Sequence, residues 1–150
     1  MSLEANKRLS LRLKDARNAW DMDALDELLT PDWRYVVPGR TFDAPRGPAG
    51  LRQMWEGTRA AFPDSRLTVA RQIAEGDSVV TMFSFEGTHA GTLRLPTIPG
   101  LADVPATGRV ISFHGIVVER IEGGRIAESS ERSDALGMLL AVGAFEPQRS

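Results

Sequence analysis

The chain begins with a helical pattern of hydrophobic positions that covers residues 3–29. Apolar side chains recur there every three or four residues and form one stripe, made of Leu9, Leu13, Ala16 and Trp20. The polar segment 21–23 interrupts the stripe, Asp23 is suited to cap a short second helix, and Thr30-Pro31 ends that helix. The first helix also carries five basic residues, which predict a solvated face, with contact to an anion or a partner as the alternative: Lys7, Arg8, Arg12, Lys14 and Arg17.

The rest of the chain mainly shows the two-residue alternation that is typical of β-strands. The pattern predicts strands over 33–37, 66–74, 78–88, 110–121 and 125–133. Pro48 suits the first turn of a helix that extends to Phe62, and Asp134 is suited to cap a last helix over 135–142. Early helices followed by antiparallel strands predict an α+β fold, with one curved sheet and helices over one face, in a single domain of residues 1–150.

Composition removes several classes of function. The chain has no cysteine, which excludes disulfides, thiolate metal sites and a cysteine nucleophile. A net charge of −2 gives no reason to expect nucleic acid, and no apolar run approaches the roughly 20 residues of a membrane span. The two histidines, His89 and His114, are not at ligand spacing from each other, so we predict no metal site. A soluble, cytoplasmic protein is expected.

The predicted hairpin around Gly123-Gly124 carries the most informative candidates. If these glycines form a two-residue turn, Ile116 lies opposite Glu131, and His114 shares a face with Glu131 and Ser129. One extra residue would exchange the faces. A histidine and a carboxylate that converge on an apolar surface can transfer protons, since burial and nearby charge tune their pKa values. The alternative is that Glu131 is a surface residue and that His114 is a hydrogen-bonded core residue.

Other residues are candidates for a ligand pocket. His89 ends a predicted strand beside the long loop 90–108, where it either contacts a ligand or forms part of the rim. Tyr35 is the only tyrosine, and it either donates a hydrogen bond to a ligand or fills the core. The three tryptophans favour core positions, although aromatic residues such as Trp55 can also form the wall of a pocket.

Several segments resemble the SnoaL-like polyketide cyclases, in their order and spacing from about residue 18 onward. The middle part of the family's sequence is similar to three segments of this chain: AFPDSRLTV at 61–69, EGDSVV at 75–80 and FEGTHAG at 85–91. The C-terminal part of the family's sequence is similar to four further segments: TGR at 107–109, FHGI at 113–116, RIEGGRIAE at 120–128 and DALGMLL at 134–140.

This resemblance implies the nuclear transport factor two-like fold, an α+β cone that encloses a pocket, and ring closure by intramolecular aldol condensation without metal or cofactor. The family's acid–base carboxylate falls on Glu131, and its pocket histidine falls on His89. The chain departs from the family at Ser129-Ser130, where the family usually has His-Trp or Tyr-Trp, and in the longer loop 92–107. These departures predict a reshaped pocket and a substrate other than an anthracycline-type polyketide.

The resulting hypothesis is an enzyme for proton transfer on a small or medium apolar molecule. Glu131 is the predicted base or acid, His114 tunes it, and His89 lies at the developing oxyanion. The predicted substrate-binding residues are Tyr35, Trp55, Phe83, Phe85 and Ser129. The alternatives are a non-catalytic ligand-binding or dimerisation module and an epoxide hydrolase-like enzyme. We also expect a homodimer through the outer face of the sheet, to which the hairpin register assigns Phe113, Gly115 and Val117.

Overall fold

The computed structural model describes residues 2–39, 44–96, 98 and 100–146. Its helices are α1 (Leu3–Ala19), α2 (Leu25–Leu28), α3 (Gly47–Ala61) and α4 (Ala135–Val142), with a 3-10 turn at Met22–Ala24. Its strands are β1 (Leu29–Val36), β2 (Arg66–Glu75), β3 (Ser78–Thr88), β4 (Val110–Glu122) and β5 (Arg125–Ser133). The predicted α+β class is therefore confirmed.

The five strands form one sheet in the order β1-β5-β4-β3-β2. β1 runs parallel to β5, and the other neighbouring pairs are antiparallel. The buried core lies on one face of this sheet, under the helices. It consists of one cluster around Trp33 and Trp55 and a second cluster around Phe62 and Phe85.

The predicted helical region 3–29 is too long at its C-terminal end. Helix α1 ends at Ala19 because Trp20 takes a left-handed conformation, with φ of 53°, and its N–H caps the last turn. Asp21, and not Asp23, accepts the capping hydrogen bond of the following turn. Strand β1 already begins at Leu29, which pairs with Ile126. Pairing with β5 therefore replaces the helical conformation that local pattern favours in residue 29.

The predicted register of the β4–β5 hairpin is wrong by one residue. Gly123 and Gly124 do form the turn, both with positive φ, and Ile121 pairs with Ile126 as a two-residue turn requires. Beyond this pair the register shifts, because Ala127 is bypassed in a β-bulge and Arg120 pairs with Glu128.

The bulge moves one set of side chains to the opposite face of the sheet. Glu131 pairs with Val117, not with Ile116, and it faces the helices. His114 lies on the outer face and is exposed, so the predicted neighbourhood of His114 and Glu131 does not exist. Gly115 and Val117 are buried on the inner face, and the apolar outer positions of β4 are instead Ile116 and Val118, each 40% exposed.

The five basic residues of α1 do not share one environment. Lys14 and Arg17 are buried, at 6% and 5% exposure, which overturns the expectation of a wholly solvated face. The side chain of Arg12 is exposed and pairs with Glu27. Helix α1 lies on the sheet with its apolar stripe inward, and Lys14 and Arg17 follow the stripe residues Leu13 and Ala16 directly in sequence.

The long loop after β3 is partly ordered by backbone pairing. Leu93 and Val104 form an isolated antiparallel bridge, and both side chains are buried. Among the described residues, no helix is both long and apolar enough to cross a membrane.

Candidate active site

A cavity of about 90 Å³ lies between α1, α3 and the inner face of the sheet. Its apolar wall consists of Leu13, Trp33, Leu51, Trp55, Leu67, Phe83 and Val117. Its polar lining consists of Lys14, Arg17, Tyr35, Glu119, Ser129 and Glu131. The structure thus brings together five of the sequence-predicted site residues: Tyr35, Trp55, Phe83, Ser129 and Glu131.

Glu131 is the carboxylate at the β5 side of this cavity. Burial raises the pKa of Glu131 above its ordinary value of 4.5, while Lys14, the Tyr35 hydroxyl and Arg17 act in the opposite direction. The Tyr35 hydroxyl donates to Glu131 Oε2 over 3.5 Å, at the long end of hydrogen-bond distances. A carboxylate with a raised pKa and apolar neighbours is suited to proton transfer near neutral pH.

Lys14 and Glu119 form a buried ion pair at the α1 side of the cavity. Lys14 Nζ donates to Glu119 Oε1, and Ser10 Oγ donates to the same oxygen over 2.9 Å. Lys14 Nζ also lies 3.1 Å from Ser10 Oγ. Burial lowers the pKa of the Lys14 ammonium, and the Glu131 carboxylate opposes this effect. A buried pair of this kind needs both partners, since either one alone is a costly buried charge.

Arg17 is fixed at the edge of the cavity by the loop before β2. Its guanidinium donates to the backbone carbonyl of Ser65 over 2.9 Å and to Ser65 Oγ over 2.7 Å. It also lies 4.5 Å from the ring centre of Trp20. Burial lowers the pKa of Arg17 to about 10, so this group stays protonated at neutral pH. Arg17 therefore supplies a fixed positive charge beside Glu131.

Two aromatic residues of β1, Trp33 and Tyr35, line one side of the cavity. Trp33 is fully buried, and its Nε1 donates to Ser129 Oγ over 3.1 Å. The Trp33 and Tyr35 rings are 6.3 Å apart. Burial, followed by the Glu131 charge, raises the pKa of the Tyr35 phenol, so this group stays protonated and can act as a donor.

His89 lies outside the cavity lining, under the loop after β3, contrary to the position that the resemblance implies. Its side chain is fully buried, its Nδ1 lies 3.0 Å from Thr107 Oγ1, and its ring packs 5.4 Å from that of Phe62. Burial lowers the pKa of His89, which favours the neutral ring. Phe85 is also absent from the cavity lining. It stacks on Phe113 at 4.7 Å and contacts Phe62 edge-on.

Three charged residues of the cavity were not predicted from the sequence: Lys14, Arg17 and Glu119. Arg17 lies four residues after the stripe residue Leu13, at helical spacing, whereas Lys14 lies off the stripe. Glu119 alternates with Val117 and Ile121 along β4 and therefore shares their buried face. The mistaken register assigned that face to the exterior.

Two other features are weaker candidates for a site. Within the described residues, no group of three or more His, Asp or Glu side chains is arranged to hold a metal ion. A broader depression of about 390 Å³ lies beside the β2–β3 and β4–β5 turns, and among its described lining residues only Asp77 is ionisable. The smaller cavity, with its two carboxylates and two cations, is therefore the candidate active site.

Comparison with known proteins agrees with this architecture. The sequence model of the SnoaL-like polyketide cyclase family matches residues 7–142. TsrD from Streptomyces laurentii is 28% identical, with a TM-score of 0.79 over 97% of this chain and 99% of its own. IdmH from Streptomyces antibioticus, described as a candidate polyketide cyclase, is 31% identical, with a TM-score of 0.74 over 92% of this chain and 98% of its own.

A third relative has a different description. AclR from Streptomyces galilaeus, described as a candidate hydroxylase, is 26% identical, with a TM-score of 0.76 over 95% of this chain and 98% of its own. No match is found among curated proteins. The chain belongs to the SnoaL-like polyketide cyclase family, and it has the nuclear transport factor two-like fold of that family.

Proposed function

We propose that this protein is a cofactor-free acid–base enzyme that closes a ring in an apolar substrate by intramolecular aldol chemistry. The observation that carries the proposal is the position of Glu131, in a largely apolar cavity where burial raises its pKa and two cations lie nearby. Related isomerase or lyase chemistry would use the same proton transfer. Family membership and the similarity to IdmH support the cyclase type.

The proposed reaction begins when Glu131 removes a proton from a carbon beside a carbonyl group. The resulting enolate attacks a second carbonyl of the same molecule, so that one carbon–carbon bond forms and an alkoxide appears. Glu131 then returns the proton to the alkoxide, and no atom is gained or lost. The fixed charge of Arg17 stabilises the negative charge, and the neutral Tyr35 phenol donates a hydrogen bond.

The size of the cavity limits the substrate. About 90 Å³ is well below the roughly 300–1,000 Å³ of common small-molecule sites. A multi-ring substrate would therefore require Trp55 or the adjoining α3 segment to move outward. A small substrate, or the apolar part of a larger one, fits the proposal best.

The test uses a 1,5-diketone whose aldol closure gives a cyclic β-hydroxyketone, and the conversion is followed by NMR. Glu131→Gln keeps the shape of the side chain and removes its basicity, so we expect turnover to fall at least about 10²-fold. Glu128→Gln is the matched control, because Glu128 lies on the same strand but pairs with Arg34 at the surface. Full turnover by the Glu131 variant would refute the proposed base.

The pH dependence of kcat/KM tests the same residue in another way. Glu131 acts as a base only when it is deprotonated, so kcat/KM should increase with pH through a midpoint above 4.5. The Tyr35 hydroxyl lowers the pKa of Glu131, and Tyr35→Phe should therefore move this midpoint to higher pH. A midpoint that does not respond to Tyr35→Phe would contradict the assignment.

The alternative of a non-catalytic module predicts a wholly apolar pocket and a Glu131 side chain paired with Arg132 or Arg109. Among the described residues, six polar ones line the cavity. Arg109 pairs with Glu146, and Arg132 contacts Ser130 Oγ and the backbone carbonyl of Glu131. These contacts favour the enzyme over the module. For the epoxide hydrolase alternative, the required Asp–Arg–Asp arrangement is not intact in the sequence.

We further propose that the protein is a cytoplasmic homodimer that associates through the outer face of the sheet. Ile116 and Val118 are each 40% exposed there, on a face opposite to the helices. Light scattering should give twice the chain mass at micromolar concentration, and Ile116→Lys should reduce it to one chain mass. Leu136→Lys, at an exposed position of helix α4, is the control and should leave the dimer intact. A monomeric wild-type protein would contradict this proposal.

A further inference from the structure

Glu119 has an unusual hydrogen-bonding state for a buried carboxylate. Its side chain is fully buried, and Oε1 accepts from both Lys14 and Ser10. Oε2 has no hydrogen-bond partner among the described residues, although Glu119 lines the cavity. A buried carboxylate oxygen normally accepts hydrogen bonds, because its desolvation is otherwise uncompensated. A donor inside the cavity would supply the missing contact.

Lys14 adds the complementary group at the same end of the cavity. Its ammonium has three N–H donors, and within the described residues its contacts are Glu119 Oε1 and Ser10 Oγ. Lys14 also lines the cavity, and its third donor has no partner among the described residues. An acceptor oxygen on Glu119 and a donor on Lys14 match the two functions of a single hydroxyl group.

The distance from this end to Glu131 follows from the sheet register. Glu119 pairs with Ser129, and Glu131 is two residues further along β5 on the same face. Such diagonal neighbours are about 7–8 Å apart. A substrate held by Lys14 and Glu119 would therefore present to Glu131 an atom on the far side of a ring.

We propose that Lys14 and Glu119 form a subsite for a substrate hydroxyl, a phenol or an enol, which donates to Glu119 Oε2 and accepts from Lys14. The substrate class is then an apolar cyclic or cyclising molecule that carries a hydroxyl on the side remote from the reacting carbon. This inference rests on the proposed function only for the role of Glu131. The subsite itself is a binding site and is tested without turnover.

The experiment compares p-cresol with p-xylene, which differ by a hydroxyl in place of a methyl group. Dissociation constants are measured by NMR titration of the wild-type protein. We expect p-cresol to bind at least about tenfold more tightly, because hydrogen bonds to charged groups contribute more than the methyl group does. Equal affinities, as expected if water satisfies Glu119, or no binding of p-cresol at millimolar concentration, would overturn the proposal.

Two variants assign the preference to a residue. The double variant Lys14→Met/Glu119→Leu replaces the ion pair by apolar side chains of similar length, a change that buried pairs often tolerate. It should lose the preference for p-cresol, whereas Glu131→Gln should keep it. If the preference instead disappears in Glu131→Gln and persists in the double variant, the hydroxyl binds to Glu131 and the proposed subsite is wrong.

These results separate the subsite from the proposed enzyme function. A wild-type preference for p-cresol that depends on Lys14 and Glu119, without any turnover of the 1,5-diketone, would support the subsite and count against the aldol reaction. Turnover that depends on Glu131, without a hydroxyl preference, would give the opposite result.

Discussion

Two neighbouring regions lie on the inner face of the sheet, and their ionisable side chains have different environments. In one region they border a cavity, and in the other the ionisable side chain is enclosed. We call the first the charged cavity, lined by Lys14, Arg17, Glu119 and Glu131. We call the second the closed cluster, in which His89 lies beside the buried cluster of Ala61, Phe62, Phe85, Leu93, Val104, Ile111, Met138 and Val142. Four charged groups border open volume in the charged cavity. In the closed cluster, one buried histidine with a lowered pKa packs against Phe62 and has Thr107 as its hydrogen-bond partner.

This difference shows that an ionisable residue type does not by itself mark a site of chemistry. His89 belongs to a segment that resembles the family, and yet its ring is buried outside the cavity lining. Lys14 and Glu119 belong to no motif, and yet they border the cavity. The geometry therefore makes the charged residues of α1 and β4, and not the histidines, the candidates for contact with a ligand.

The largest expected effect is a loss of stability when the ion pair of the charged cavity is broken. Lys14→Met leaves Glu119 buried without its cation, and we expect the free energy of unfolding to fall by about 3–5 kcal/mol. The double variant Lys14→Met/Glu119→Leu should recover most of this loss. Urea unfolding monitored by tryptophan fluorescence measures both. A double variant as unstable as the single one would show that packing, and not the unpaired charge, causes the loss.

A smaller change in stability is expected when one methyl group is added to each region by replacing a glycine with alanine. The comparison tests whether the region beside the cavity accepts the added volume more easily than the filled region does. A Cβ at Gly115 would lie 2.5 Å from the end of the Phe83 ring, which can swing into the cavity. A Cβ at Gly87 would lie 2.8 Å from Ser65 Cβ and 3.1 Å from Ser65 Cα, where no flexible group can yield.

We therefore expect Gly115→Ala to cost about 1 kcal/mol of stability and Gly87→Ala about 3 kcal/mol, the two ends of the usual range for overpacking. Gly115→Ala should also weaken binding of p-xylene, since Phe83 would occupy cavity volume. Thermal unfolding and the NMR titration measure the two effects. Equal destabilisation by both variants would remove the distinction between the regions.

The smallest expected effect is a pH dependence of stability that comes from His89. Burial lowers the pKa of His89 in the folded state, so the unfolded chain binds its proton more readily. The resulting stability is present above the ordinary pKa of about 6.5 and is lost as pH falls below it, by about 1.4 kcal/mol for each pKa unit of difference.

His89→Leu should therefore reduce the decrease in stability between pH 7.5 and pH 5.5. Urea midpoints across this pH range provide the measurement. A decrease that is equally large in His89→Leu and in the wild-type protein would contradict the lowered pKa of His89.

Much of the fold could be predicted because its signals are local. The start of α3 at Pro48, the cap of α4 at Asp134 and the limits of β3 and β5 follow from residues that act within one turn. The end of the first helical region could not be predicted in the same way. Leu29 fits a helix locally and becomes a strand because it pairs with Ile126, almost a hundred residues away.

The candidate site, like the fold, could be predicted only in part from the sequence. The sequence alone determined the two-glycine turn and the family membership, and through the family it pointed to Glu131. Only the tertiary structure decided which side chains join Glu131. A single bulged residue, Ala127, exchanges the face of His114 for that of Glu119, because side chains alternate strictly along a strand. The docking of α1 on the sheet then buries Lys14 beside Glu119, a contact across 105 residues for which local sequence holds no signal.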